Sequence, residues 1–125
     1  MNREEFLKAY FEVLNRAIAF SEKARREGLL ALEDECHSDK INKRDIFEYG
    51  MQFVIDGTDD SFIDKILSNI INHEKDELTR LLKTIQKEAV LSIQSGCNSR
   101  ILILMMNSYT DLPLDSPDMK AILGD

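Results

Sequence analysis

Phe62-Ile63-Asp64-Lys65-Ile66-Leu67-Ser68-Asn69-Ile70-Ile71, then Asn72-His73-Glu74-Lys75-Asp76-Glu77, then Leu78-Thr79-Arg80-Leu81-Leu82-Lys83-Thr84-Ile85 is the stretch on which the fold turns. Apolar residues at 62, 63, 66, 67, 70 and 71 fall at helical spacing; the stripe resumes at 78, 81, 82 and 85 and runs on to Ile93. The polar patch between the two stripes holds neither Gly nor Pro. Two arrangements are open. Residues 72 to 77 turn, giving a compact αα-hairpin, or they stay helical and make one rod from about 59 to 95. A rod cannot fold back on its own domain and invites exchange of halves between two chains. The lack of Gly and Pro tilts the reading slightly toward the rod.

Working outward, residues 3 to about 35 carry one apolar seam at Phe6, Tyr10, Val13, Ala17, Phe20 and Ala24 and a second at Leu7, Phe11, Leu14 and Ile18. Two adjacent seams predict a helix packed against more than one neighbour. Gly28 lies inside this helix at a cost of roughly 1 kcal/mol relative to Ala, marking a bend or a close backbone approach. After a polar loop from Cys36 to Lys40, Asn42 is the expected N-cap, with Asp45 three residues on in a capping-box-like pairing. The next helix buries Ile46, Phe47, Met51, Phe53 and Val54 and stops at Asp56-Gly57. Thr58 is expected to cap the following helix, with Asp59 and Asp60 in its first turn. Ser95-Gly96 ends the segment after the patch, Asn98 caps a short apolar helix to about Tyr109, and Ser116-Pro117 starts a last helix that stops near Gly124. Glu27–Glu33 also echoes Glu88–Gln94, and the Gly57 turn echoes the Gly96 turn; amphipathic helix ends match this well by chance about as often as not.

The chain has 125 residues, one domain's worth (residues 1–125), with 43% hydrophobic and 31% charged residues, a globular balance. Acids outnumber bases 23 to 16, which argues against nucleic acid and against an anionic membrane surface as partners. The longest apolar run, Ile101 to Met106, is far short of the roughly 20 residues of a membrane span, so direct membrane insertion is not expected. The N-terminus is too polar and acidic for a signal peptide, and two widely spaced cysteines, Cys36 and Cys97, suit a reducing cytoplasm.

No catalytic residues, metal or cofactor are expected. His37 beside Cys36 has no second ligand at metal spacing, and His73 is isolated. Asp56, Asp59 and Asp60 lack the alternating ligands and terminal Glu of a calcium loop, and helix capping accounts for them. No phosphate loop, serine elbow or Cys/His dyad is present, so an enzyme is not expected. The run Ile101-Leu102-Ile103-Leu104-Met105-Met106 is apolar on all sides: it is buried in the domain, or Ile101, Leu102, Leu104 and Met105 form a homodimer seam.

Ala24-Arg25-Arg26-Glu27-Gly28-Leu29-Leu30-Ala31-Leu32-Glu33-Asp34-Glu35, together with Gly50-Met51-Gln52-Phe53-Val54-Ile55-Asp56-Gly57-Thr58-Asp59, closely resembles the cytoplasmic part of the MotA/PomA flagellar stator family, of the wider MotA/TolQ/ExbB proton-channel group. In that family an A-R-x-x-G-L-L-A-L-E helix leads to a G-x-Q-x-V-x-D-G-T-D turn. Glu88 to Arg100 resembles the segment after the family's last membrane helix, although Asp-Asn-Pro is more usual there than Cys97-Asn98-Ser99. The resemblance covers roughly residues 20 to 110. It departs where the family crosses the membrane: the last two spans are replaced by the patch from 72 to 77, and only about twenty residues precede the first motif. The resemblance therefore implies a stator cytoplasmic domain without its channel, unable to conduct ions by itself, cytoplasmic and peripheral to the flagellar motor at the inner membrane. It also implies a partner, a FliG-like rotor protein or another motor component, engaged by charges matching Arg25, Arg26 and Glu33. Positions 26 and 33 would lie about two turns apart on one helix face. Internal pairing, such as Lys23 with Glu27, is the competing account of these charges. A self-assembling structural or regulatory subunit is the alternative from a different class. The expected fold is all-α, a hairpin or bundle of about five helices, with a long central helix and an intertwined dimer as its variant form.

Overall fold

Among the described residues every α-helix is preceded by a residue whose side chain can accept from a backbone N–H, and every one of these acceptors is used. A computed structural model gives the fold and describes residues 1–36 and 45–124. Its α-helices are α1 (Arg3–Glu27), α2 (Ile46–Ile55), α3 (Asp60–Ile71), α4 (Glu77–Ser95), α5 (Ser99–Asn107) and α6 (Pro117–Leu123), with a 3₁₀ segment, Leu29–Glu35, after α1. Asn2 and Glu5 close a full capping box on α1. Asp45, Asp59, Asp76, Asn98 and Ser116 cap the other five. Satisfying the orphan N–H groups this way fixes where each helix begins.

Two caps differ from expectation. Asp59, not Thr58, caps α3, its carboxylate accepting from the Ser61 N–H at 3.1 Å. Thr58 is taken up in the turn: its N–H bonds the Phe53 carbonyl and its own carbonyl accepts from the Gln94 amide at 2.8 Å. Asp45 is itself the cap of α2; the expected capping residue Asn42 lies outside the described residues, as does His37.

The patch from 72 to 77 turns, so α3 and α4 form a hairpin and the long central rod is not made. Side chains do what Gly and Pro were expected to do. The Glu74 carboxylate accepts from the N–H groups of Lys75 and Asp76, and the Asp76 carboxylate accepts from the Thr79 N–H at 2.9 Å. Acidic side chains that bond nearby backbone offer the chain an alternative to helix. Across the hairpin, Lys87 reaches Asp64 at 2.8 Å and Lys83 reaches Glu74 at 3.0 Å.

Gly28 also behaves differently from expectation. It ends α1 at φ +91°, ψ 161°, a region essentially reserved for glycine, and the chain continues as the 3₁₀ segment. The echo between Glu27–Glu33 and Glu88–Gln94 therefore has no structural counterpart, since the second stretch lies wholly within α4. The echoed Gly57 and Gly96 turns do match, both at φ +79° and each leading into a capped helix.

The core runs through all these elements. From α1 it takes Phe6, Tyr10, Leu14, Ala17 and Phe20, from the 3₁₀ segment Leu32, from α2 Ile46, Phe47, Met51 and Val54, and from the hairpin Ile63, Leu67, Leu82, Ile85, Ala89 and Val90. Phe53 is only partly buried, and Phe62 is 61% exposed. Buried Tyr10 donates to the Asn107 side-chain oxygen at 3.3 Å, tying α1 to α5, and Asn107 passes the chain on to the Leu112 carbonyl at 3.1 Å. Desolvation pushes the Tyr10 phenol well above its ordinary range, so it stays a neutral donor. α4 lies at the centre, against α1, α2, α3 and α5.

α1 and α4 run in the same direction. At one end the chain's amino group sits 3.2 Å from Asp76, the cap of α4; at the other, the Arg25 guanidinium lies 2.7 Å from the Gly96 carbonyl. α2 approaches the α3–α4 hairpin through Gly50, where an added Cβ would lie 2.9 Å from Val90 Cγ2 of α4 and 3.0 Å from Leu67 Cδ1 of α3.

Two predictions follow from the packing and the caps. Gly50→Ala gains roughly 1 kcal/mol of helix propensity but forces the stiff, buried Val90 to move, an overpacking cost of roughly 1–3 kcal/mol. Urea denaturation should show a net loss of stability; a stabilised variant would refute the close approach. For Asp76, the Thr79 hydroxyl and N–H and the amino terminus hold the carboxyl at about 2, down from 3.8. A lowered folded value means the stabilisation is fully present above the unfolded value and is lost as pH falls from about 3.8 to about 2. Asp76→Asn should therefore be less stable than the parent at pH 7, with the two converging near pH 2. A gap that stays constant across that range would refute the assignment.

Candidate docking face

Four consecutive charges or breaks, Arg25, Arg26, Glu27 and Gly28, close α1. Successive helical residues point about 100° apart, so neighbours in the sequence meet different surroundings. Arg25, itself exposed, reaches along the bundle end and donates to the Gly96 carbonyl at 2.7 Å, where α4 stops in a left-handed glycine. Arg26 turns to solvent: its side chain is 66% exposed, and among the described residues its ion-pair partner is the adjoining Glu27 at 3.9 Å. An exposed pair at that separation is worth little.

Glu33 is exposed on the 3₁₀ segment. The expectation that Arg26 and Glu33 share one helix face is corrected by Gly28, which breaks α1 between them. The two charges instead sit on two elements joined by that glycine. Leu32, fully buried, pins the 3₁₀ segment to the core, while Leu30 stands 69% exposed. Lys23 clamps the segment from α1 through Glu35 at 2.9 Å. That hydrogen bond raises the Lys23 ammonium and lowers the Glu35 carboxyl relative to their ordinary values. Lys23 thus takes Glu35 as its ion-pair partner rather than the expected Glu27.

Glu33 and Asp34 also line an open cleft of about 380 Å³ against Gln52, Ile55 and Asp56 of the α2 end, with Cys36 at its base. Burial first, and then the Glu48 carboxylate, push the Cys36 thiol up to about 11. It is therefore a protonated thiol at neutral pH and a weak nucleophile. Asp59, considered above for calcium, is engaged in capping, and hydrogen bonds from Ser61 hold its carboxyl low. Among the described residues no group of three His, Cys, Asp or Glu side chains could hold a metal ion. Nor is any helix among them long and apolar enough to cross a membrane. What the face can do chemically is present exposed charge of both signs, Arg26 on α1 and Glu33 beside the acidic cleft, on two rigidly seated elements. Such charges suit fast, salt-sensitive contacts.

The apolar run of α5 is divided. Leu102, Ile103 and Met106 are buried in the chain's own core, whereas Ile101 is 53% exposed and Leu104 and Met105 are half-buried. Leu102, expected in a self-association seam, has no exposed surface in this chain and packs in its core. The residues that the sequence reading missed are Gly96, whose carbonyl holds Arg25, and Asn107, whose buried amide joins α1 to α5. Glycine at a helix end carried a signal for the turn but none for the arginine.

Over 94 residues the chain is 32% identical to Motility protein A of Treponema phagedenis and 31% identical to Motility protein A of Treponema pallidum (strain Nichols). The match takes in 75% of this chain and 35% of each relative, so the chain spans about a third of the length of the curated relatives it matches. No family model matches the chain, and no solved structure does. The likeness to the two relatives supports a MotA-like relationship for three quarters of the chain.

Proposed function

We propose that this chain is a non-catalytic interaction module related to the cytoplasmic part of the flagellar stator, docking on a FliG-like rotor protein through Arg26 and Glu33. Its place is at the cytoplasmic side of the motor, and it conducts no ions by itself. The observation that carries the reading is the coincidence of two facts: the likeness to Motility protein A, and two oppositely charged, exposed side chains flanking the Gly28 break. A charged rim raises the association rate and fixes orientation without making a permanent complex, which is what a stepping contact requires. Arg25, the third charge of the expected surface, is engaged within the chain at 2.7 Å.

The second reading, a self-associating structural or regulatory subunit, has the exposed Ile101 in its favour, beside half-buried Leu104 and Met105. With Leu102 taken into the core and Leu104 and Met105 half-buried, Ile101 is the one strongly exposed residue of the four expected there, so the charged face is the better-supported reading.

Titrating the purified chain with the FliG homologue of its host should give a complex that weakens as salt rises from about 50 to 300 mM. Arg26→Glu and Glu33→Lys should each weaken it by about tenfold. Unchanged binding in both variants would sink this surface. Sizing chromatography of the chain alone addresses the second reading: a homodimer through α5 would persist at high salt and dissociate in Ile101→Glu, whereas a monomer in both removes it.

A further inference from the structure

Two helices that run parallel bring their carboxyl ends together, and both ends carry partial negative charge from unpaired carbonyls. α1 ends at Glu27 and α4 at Ser95, and Arg25 lies where the two meet. It is in the last turn of its own helix, and its guanidinium donates to the Gly96 carbonyl of the other, 71 residues away in sequence. One cation thus offsets two helix ends. On the α4 side that end is shaped by Gly96 at φ +79°, whose own N–H bonds back to Ile93. On the α1 side the chain leaves the helix three residues later at Gly28.

Helix ends fray, and α1 is followed by a glycine with no side chain to hold it. Beside the backbone bonds of the last turn of α1, such as Gly28 N–H to the Ala24 carbonyl at 2.8 Å, the packing of Ala24 on the core and the Lys23–Glu35 pair, Arg25 adds a tie from that turn to the end of α4. Rotation of that turn would carry Arg26 with it and shift the point at which the 3₁₀ segment departs toward Glu33. We propose that Arg25 is a positioning residue: it latches α1 onto the end of α4, sets the direction in which Arg26 and Glu33 are presented, and does not itself meet the docking partner. This inference rests on the docking reading for its consequence, but the latch is testable without a partner.

The test is hydrogen exchange on the full chain, followed by binding to the host FliG homologue at two salt concentrations. In Arg25→Ala, exchange in peptides covering residues 92–98 and 24–33 should quicken by roughly fivefold, as for a surface hydrogen bond to a charged group discounted for solvent. Arg25→Lys, which keeps the charge and can donate one bond, should restore part of the protection, and Arg26→Ala should leave it unchanged. In binding, Arg25→Ala should weaken the complex while keeping the parent's salt dependence, because no intermolecular ion pair is lost; Arg26→Ala should flatten that dependence. Unchanged exchange in Arg25→Ala overturns the latch. A salt dependence flattened by Arg25→Ala as much as by Arg26→Ala overturns it equally, since Arg25 would then be touching the partner. If the parent chain does not bind FliG, the docking reading fails, and the exchange pattern alone upholds or overturns the latch.

Discussion

α1 and α4 lie side by side in the same direction, and the rest of the chain is arranged around the consequences of that choice. A parallel pair cannot be joined by a short turn, so the chain must travel from the carboxyl end of α1 back to the amino end of α4. α3 makes that return. Its start lies beside the end of α4, where the Gln94 amide holds the Thr58 carbonyl, and its end feeds the turn capped by Asp76. Parallel packing also sets like ends of the two helix dipoles together. The chain places an acid at the amino ends and a base at the carboxyl ends: Asp76 beside the amino terminus, and Arg25 on Gly96. Each contact is exposed and individually modest, but together they fix both ends of one long contact whose middle is apolar.

Centrality of α4 explains the demands on its neighbours. A helix with four packing partners has no broad polar face to spare, and α2 gains access only because Gly50 lacks a Cβ. The first glycine of the stretch Gly50 to Asp59 is therefore a packing residue and the second, Gly57, a turn residue at φ +79°, while Val54 is core and Asp59 is a cap. A string that looks like a functional motif is, residue by residue, the specification of a tight helix–turn–helix corner.

The all-helical class, most helix ends and most of the core were legible in the sequence, because seams such as Phe6, Tyr10, Ala17 and Phe20 repeat at helical spacing and caps such as Asn98 and Ser116 carry a local signature. The differences have separate causes. At 72–77 the absence of helix-breaking residues favours a rod, whereas Glu74 and Asp76 end and start helices by bonding backbone N–H groups themselves. Thr58 and Asp59 are both good caps by residue type; Asp59 takes the role while the Thr58 backbone is held in the turn by Phe53 and by the Gln94 amide of α4, the latter a contact 36 residues away that no local pattern encodes. Gly28 could be read as a weak point in a helix but not as its end, since the buried Leu32 that pulls the chain into the 3₁₀ segment belongs to an apolar run compatible with either conformation. For the docking face, charge and sequence likeness pointed to Arg25, Arg26 and Glu33 together. Only geometry separates an arginine bonded to Gly96 from an arginine in water.

That separation matters for how such a face can change without the fold failing. Exposed charges contribute little to stability, so exchanging Arg26 or Glu33 costs the fold little. Arg25 differs, because it answers to the end of α4. Placing the two arginines next to each other on a helix, where adjacent residues diverge by about 100°, gives one turn two duties: one guanidinium anchors the end of the bundle while the other meets the outside. Gly28 then divides the anchored helix from the acidic segment. The opposite charges thus sit on separate elements, and among the described residues the Arg26 side chain finds only the adjoining Glu27 within ion-pair range.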